Sequence, residues 1–179
     1  MLEVLRGELV TLRPIERDDV EVLHVIDAAY DTWPETNYAP YAPKSLAEVL
    51  AAFDGEEESS YRGNDGFQPF AIDVDEQLVG MCCFWGIDQH NRRAHLGIGI
   101  GEEHRGRGIG TDATRVMLHY AFVDRGWHRV QLEVLATNTA AIRSYEKAGF
   151  REDGRMRESA WVRGAFVDEV YMSVLATDR

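Results

Sequence analysis

The sequence predicts an α/β (α+β) fold, read as a single domain over residues 1–179 with elements in the order β-α-α-β-β-β-α-β-α-β-β. Three observations carry this reading. From residue 94 to 101, Leu96, Ile98 and Ile100 alternate with small or polar residues, the period of a strand, and a glycine-spaced loop joins that strand to an amphipathic helix. Residues 129–137 repeat the strand pattern and run into a second helix, with Asn138 where an N-cap belongs and Gly149 where a C-cap belongs. Residues 150–162 and 166–175, turned at Arg163-Gly164, close the chain as a hairpin.

The elements follow in order. Residues 9–14 read as a first strand, and Val20, Leu23, Ile26 and Tyr30 mark a helix. Residues 33–43 are a loop, since Pro34, Pro40 and Pro43 forbid both helix and ladder. Ser45 and Glu48 form a capping box that opens a second helix with Leu46, Val49, Leu50 and Phe53 inward. The run Glu56-Glu57-Glu58 is read as its solvated end. Residues 70–74 and 77–86 make an antiparallel pair across Asp75-Glu76. After the glycine loop, Ala113, Val116, Met117, Tyr120 and Ala121 fall on one helical face.

Composition excludes several function classes. With 45% hydrophobic and 28% charged residues the chain is of the soluble globular kind, and no apolar run approaches the roughly 18 residues of a spanning helix. Met1-Leu2-Glu3-Val4 lacks a signal-peptide pattern, so a cytoplasmic protein is expected. A net charge of −12 argues against nucleic-acid binding, which favours a basic face. Lys44 and Lys147 are the only lysines among 19 cationic residues. Adjacent Cys82 and Cys83 fit neither a disulfide framework nor metal-ligand spacing and are read as strand residues, one facing in and one out. No metal site is expected.

His104-Arg105-Gly106-Arg107-Gly108-Ile109-Gly110-Thr111 carries the chemistry. Glycines at every second position between strand and helix let backbone N–H groups converge at a helix N-terminus, an anion site that suits a pyrophosphate. No lysine follows Gly110, as a nucleotide-triphosphate loop requires, so an ATP-binding, kinase-like reading is remote. The two-residue rhythm also differs from the dinucleotide fingerprint. The remaining pattern, Arg105-x-x-Gly108-x-Gly110, resembles the acetyl-CoA pyrophosphate loop of the GNAT superfamily of N-acetyltransferases. The segment from Asn138 to Phe150, with Ala141-Ile142, Tyr145-Glu146-Lys147 and Gly149-Phe150, resembles that superfamily's second cofactor segment along its whole length and at the expected distance. The element order is also the one the GNAT fold requires. The resemblance thus implies a mixed, mostly antiparallel central sheet flanked by helices. The opening strand and the Gly164…Asp168…Met172 hairpin are similar to the branch containing ribosomal-protein alanine N-acetyltransferases.

The resemblance implies direct transfer of an acetyl group from acetyl-CoA to a primary amine, with no metal. Backbone N–H groups of Arg105, Gly106, Arg107, Gly108, Ile109, Gly110 and Thr111 would take the pyrophosphate. Ile98, Gly99 and Ile100 lie where the family's strand parts from its neighbour and frees backbone groups for the pantetheine and the thioester oxygen, and Asn138 would bond the pantetheine arm. Tyr145 is the matched general acid, a phenol with an ordinary pKa near 10 that can protonate or hydrogen-bond the leaving thiolate. Many relatives carry a glutamate where this chain has His95, which shares a face with Gly97 and Gly99 and is the first candidate base; Glu133 is the second. Trp33, Tyr38 and Trp85 are candidate substrate-binding rings. Two acceptor classes fit the negative charge: the N-terminal α-amine of a basic protein such as a ribosomal protein, favoured by the branch resemblance, and a polyamine or aminoglycoside. A monomer or homodimer is expected. The rival from another class is a catalytically inactive acyl-CoA-binding or regulatory module on the same fold; Tyr145 argues against it and His95 in place of the glutamate argues for it.

Overall fold

The computed structural model describes residues 4–29, 41–42, 44–55 and 61–178. Its strands are β1 (Leu5–Arg6), β2 (Thr11–Arg13), β3 (Phe67–Val74), β4 (Gln77–Asp88), β5 (Arg93–Ile100), β6 (Arg129–Leu135), β7 (Arg151–Val162) and β8 (Ala165–Leu175). The helices are α1 (Val20–Asp27), α2 (Leu46–Asp54), α3 (Ile109–His119) and α4 (Thr139–Ala148). The strands form one sheet in the order β1-β2-β3-β4-β5-β6-β8-β7, antiparallel throughout except between β5 and β6. The mixed, mostly antiparallel sheet is therefore present. The expected loop residues 33–40, Tyr30 and the acidic run 56–58 lie outside the described residues.

Alternation assigns side chains to two layers. Cys82, Phe84, Ala94 and Leu96 point into the larger core with Ile109, Ala113, Val116 and Met117 of α3, and with Val130, Leu132, Val170 and Met172 farther along the sheet. On the opposite face Met81 and Cys83 meet Val20 and Leu23 of α1, Val49 and Phe53 of α2, and Tyr61. Cys82 and Cys83 do point to opposite faces, but α1 and α2 cover the outer face, so Cys83 is half-buried there and the loss of solvent pushes its thiol up to about 12. Ser45 and Glu48 close their capping box, Ser45 N–H donating to Glu48 Oε2 at 2.8 Å and Glu48 N–H to Ser45 Oγ at 3.3 Å. Asn138 caps α4, its Oδ1 accepting from Ala141 N–H at 3.1 Å, and Gly149 ends the helix at φ +109°. Arg163 and Gly164 both take positive φ, as a two-residue turn that follows the twist of its strands requires.

Three local features depart from the pattern in the sequence. β3 starts at Phe67 rather than Phe70, because β2 reaches only Ala71–Asp73 and Pro69 lies beyond it. The last turn of the α3 region, Tyr120–Asp124, is a π-helix with Arg125 N–H bonded to Tyr120 C=O at 3.0 Å. A two-residue strand, β1, precedes the expected first strand and pairs with β2. The connection between β1 and β2 is held from far away: the buried Asp112 carboxylate, in the first turn of α3, accepts from the N–H groups of Glu8 (3.2 Å), Leu9 (2.7 Å) and Val10 (3.1 Å). Asp112→Ala would leave these donors without their acceptor, and we expect it to lower the urea unfolding free energy by about 2–3 kcal/mol, with Asp112→Asn recovering part of the loss. An unchanged unfolding midpoint in the alanine variant would show that the clamp contributes nothing.

Candidate active site

The site begins where β5 leaves β6. The two strands pair only at Arg93–Arg129, Ala94–Val130 and His95–Gln131, and then part. Gly101 N–H bonds to Val79 C=O on β4, and alternation from that rung turns the backbone groups of Leu96, Ile98 and Ile100 away from β4, toward the gap. Ile98, Gly99 and Ile100 thus lie on the opened edge. Among the described residues, a Cβ placed on Gly99 would meet only the Oδ1 of Asp27, at 4.0 Å.

The glycine loop lies at the end of the same strand. Arg105 Nε donates to Ile100 C=O at 2.9 Å, folding the turn at Glu102–His104 back onto β5. Gly106 and Gly108 take φ +72° and +85°, a region that L side chains enter only with strain. Gly108 is the N-cap of α3 and has no side chain with which to cap it. The first turn-closing bond is Asp112 N–H to Gly108 C=O, which leaves the N–H groups of Ile109, Gly110 and Thr111 without intrahelical acceptors. The only acid in that turn, Asp112, has its carboxylate turned to the β1–β2 connection. The arrangement suits a pyrophosphate: uncapped N–H groups at a positive helix end, with none of the described residues within 4 Å of where a Gly106 side chain would be. Arg105 and Arg107 are exposed beside it. Thr111 Oγ1 lies 2.8 Å from Ser144 Oγ and so ties this loop to α4.

From α4, Tyr145 is buried against Phe150, with ring centroids 5.7 Å apart. Burial, and then the nearby Cys83 thiol, push its phenol up to about 12, so it stays protonated at any working pH. Asn138 spends its oxygen on the helix cap and keeps its side-chain N–H₂ outside that bond.

On the α1 and α2 face of the gap, β5 and β6 present His95, Gln131 and Glu133. His95 Nδ1 lies 3.2 and 3.3 Å from the two Glu133 carboxylate oxygens, and its Nε2 lies 2.8 Å from the Gln131 side-chain nitrogen. Trp85, the cross-strand neighbour of His95, packs its ring on the imidazole with centroids 4.1 Å apart. Asp27, at the end of α1, accepts from Tyr61 O–H at 2.7 Å. Burial raises its pKa, opposed by that hydrogen bond and by His24, and among the described residues no arginine or lysine pairs with it.

The structure therefore brings His95, Glu133 and Trp85 together beside the opened β5 edge, with the glycine loop at the end of that strand and tied to α4, which carries Tyr145; Asn138 stands at the start of α4 as its cap. Trp33 and Tyr38 lie outside the described residues. The sequence reading did not single out Asp27, Tyr61, Gln131 or Ser144. Gln131 had a signal, since alternation on β6 puts it on the face of Glu133; Asp27 had none, because only the packing of α1 brings it over Gly99. Among the described residues there is no cluster of three or more side chains that could hold a metal, and no helix long and apolar enough to cross a membrane.

Comparison with known proteins bears on the family and the fold. The profile of the acetyltransferase (GNAT) domain family matches residues 10–151. An uncharacterised N-acetyltransferase, p20, of Bacillus licheniformis is 27% identical over 97% of this chain and 97% of its own. The spermidine N(1)-acetyltransferase of Escherichia coli (strain K12) is 26% identical over 92% of this chain and 85% of its own. Among solved structures, the spermidine N-acetyltransferase of Vibrio cholerae in complex with CoA and spermine superposes with a TM-score of 0.84 at 23% identity, over 96% of this chain and 98% of that one, a likeness of fold.

Proposed function

The chain belongs to the GNAT acetyltransferase family, with acetyl-CoA as acyl donor, and from that premise we propose that it N-acetylates a small cationic amine of the polyamine class. One observation carries the reading: the gap opened between β5 and β6 lies between an uncapped helix N-terminus and Asp27, an acid with which no arginine or lysine pairs among the described residues. One side suits a pyrophosphate and the other an ammonium. Relatives named as acetyltransferases over most of the chain leave the inactive-module reading without support.

The donor supplies an acetyl thioester, and the residues do the rest. The N–H groups of Ile109, Gly110 and Thr111 would hold the pyrophosphate, aided by Arg105 and Arg107. Backbone groups of Ile98 and Ile100 would meet the pantetheine and the carbonyl oxygen, where one aimed N–H contributes a few kcal/mol to the transition state. The side-chain N–H₂ of Asn138 would reach the pantetheine arm. The acceptor approaches over Gly97 and Gly99, its far ammonium drawn by Asp27 and its stem passing Trp85. As the amine nitrogen attacks the carbonyl carbon and the C–S bond breaks, the His95–Glu133 pair takes the amine proton and Tyr145 meets the thiolate. A phenol near 12 facing a thiol of ordinary pKa about 8.5 stabilises the thiolate by donating a hydrogen bond more than by surrendering its proton. The same reading places the reaction in the cytoplasm, where acetyl-CoA is available.

The relatives named as spermidine acetyltransferases favour a polyamine over the N-terminus of a ribosomal protein. The test follows free thiol with acetyl-CoA and spermidine, an aminoglycoside, or a basic peptide with a free N-terminal alanine. Spermidine should give the highest kcat/KM, falling several-fold as salt rises, since about 0.15 M ions screen the field beyond about 8 Å. Asp27→Asn should raise KM for spermidine by about 10-fold with little change in KM for acetyl-CoA, the loss of one buried charge pairing. If the peptide is the better substrate, or kcat/KM ignores salt, the polyamine reading fails.

A further inference from the structure

The hydrogen bonds around His95 determine where its proton sits. Arg129 Nε lies 2.8 Å from the Gln131 side-chain oxygen, and Arg129 also pairs with Asp153. A guanidinium only donates, so the Gln131 atom facing it must be the carbonyl oxygen. The Gln131 N–H₂ is then the group facing His95 Nε2 at 2.8 Å, and it donates to a bare ring nitrogen. The ring proton must therefore be on Nδ1, where it points to the Glu133 carboxylate at 3.2 Å. The amide and ring orientations are fixed by the donor-only arginine at one end of the chain and the acceptor-only carboxylate at the other. Trp85 packs on the ring from β4 and adds no charge. Among the described residues, the charged and titratable groups that face the pair are Glu133 and Arg129 on β6, Asp153 on β7, which holds Arg129, Tyr171 on β8, whose register partner on β6 is Glu133, and, at the end of α1, Asp27 over Gly99.

We propose that Gln131, held by Arg129, is a positioning residue that keeps His95 as the neutral Nδ1–H tautomer, so that Glu133 and not the imidazole receives the proton of the acceptor amine. The imidazole has no lone pair to offer, because its bare nitrogen is already occupied by the Gln131 N–H. It acts instead as a donor that orients the Glu133 carboxylate. In the step itself the C–N bond forms as the thioester C–S bond breaks, the thiolate leaves toward the Tyr145 hydroxyl, the amine N–H bond breaks with its proton passing to a Glu133 oxygen, and the His95 proton stays in place. The tautomer is a property of the resting protein; only the role of Glu133 rests on the acetyltransferase reading.

The test is long-range ¹H–¹⁵N correlation spectroscopy of histidine-labelled protein at pH 8 without substrates, the His95 signals being assigned by their loss in His95→Phe. Wild type should give a protonated Nδ1 and a bare Nε2. Gln131→Leu removes the donor and should move the proton to Nε2, the usual preference of a free imidazole, and should lower kcat by about 10-fold with KM for acetyl-CoA unchanged. Gln131→Glu places an acceptor there and should protonate Nε2 even if the leucine variant folds poorly. Glu133→Gln should lower kcat by about 10²-fold. A protonated Nε2 in wild type, or one tautomer shared by wild type and both Gln131 variants, overturns the proposal. Full kcat in Glu133→Gln with the expected tautomer overturns the role of Glu133 alone. If no amine is acetylated at all, it is the functional reading that fails, and the spectra still decide the tautomer.

Discussion

Tyr145→Phe should lower kcat for acetyl transfer by about 10²-fold while changing the affinity for acetyl-CoA by no more than a few-fold, the usual cost of losing one proton-donating group. The size of the effect follows from burial. The Tyr145 ring is enclosed by the large core and packs against Phe150, so a phenylalanine fills the same space and the fold is kept. What is lost is one hydroxyl in a place that water reaches poorly, where nothing replaces its hydrogen bond to a developing thiolate. The phenol has a second consequence. Its pKa in the folded protein, about 12, lies above its unfolded value near 10, so its stabilising contribution is complete below pH 10 and is lost as the pH rises from there through 12. The phenylalanine variant should lack that alkaline loss. Steady-state kinetics with free-thiol detection measure the first effect, and full kcat in the variant would remove Tyr145 from the chemistry.

Gly108→Val should weaken acetyl-CoA binding by ten-fold or more in calorimetry. Gly108 is at φ +85°, and an L side chain there costs about 1–2 kcal/mol before any contact is counted. Its Cβ would lie 3.5 Å from Leu9 Cδ1, which is ordinary packing, so the penalty comes from the backbone rather than from a clash. The chain would relax by turning the peptide after Gly108, and that motion swings the N–H groups of Ile109 and Gly110 off their common aim. Gly110→Val is the companion. Gly110 has a negative φ, and its Cβ would lie 3.4 Å from Ile100 Cδ1, between the loop and the β5 edge. It should reduce affinity by filling the approach to the phosphate while leaving the melting temperature near wild type. Unchanged affinity in both variants would mean that this loop does not hold the donor.

What was legible in the sequence was local. The loop glycines, the Ser45–Glu48 box and the Asn138 and Gly149 caps could be read because each acts within four or five residues through backbone conformation. The layer of each residue in β4 and β5 followed from alternation alone. The rest depends on distant partners. β1 has two residues and no period, and its connection is held by Asp112, more than a hundred positions away. His95 and Glu133 could each be named as candidates, but their contact and the hold of Gln131 on the ring exist only because β5 and β6 run parallel in one register for three pairs. In the sequence Asp27 is one polar residue of an ordinary amphipathic helix marked from Val20 to Tyr30, until α1 is laid across Gly99.

The parting of β5 and β6 also bears on how such a chain can change over generations. On the side proposed for the donor, the groups turned toward the gap are backbone groups of Ile98 and Ile100 and peptide N–H groups at the start of α3, and a peptide group is the same in nearly every amino acid. A substitution at Ile98 alters the lettering there but not the backbone atoms presented, provided that Gly106 and Gly108 keep the path of the chain. On the side proposed for the acceptor, Asp27, Trp85, His95 and Glu133 present side chains, and each replacement would change the surface offered to an amine. Inheritance can therefore rewrite one side of the gap while the other stays constant, and a lineage can take up a new amine without relearning how to hold its donor.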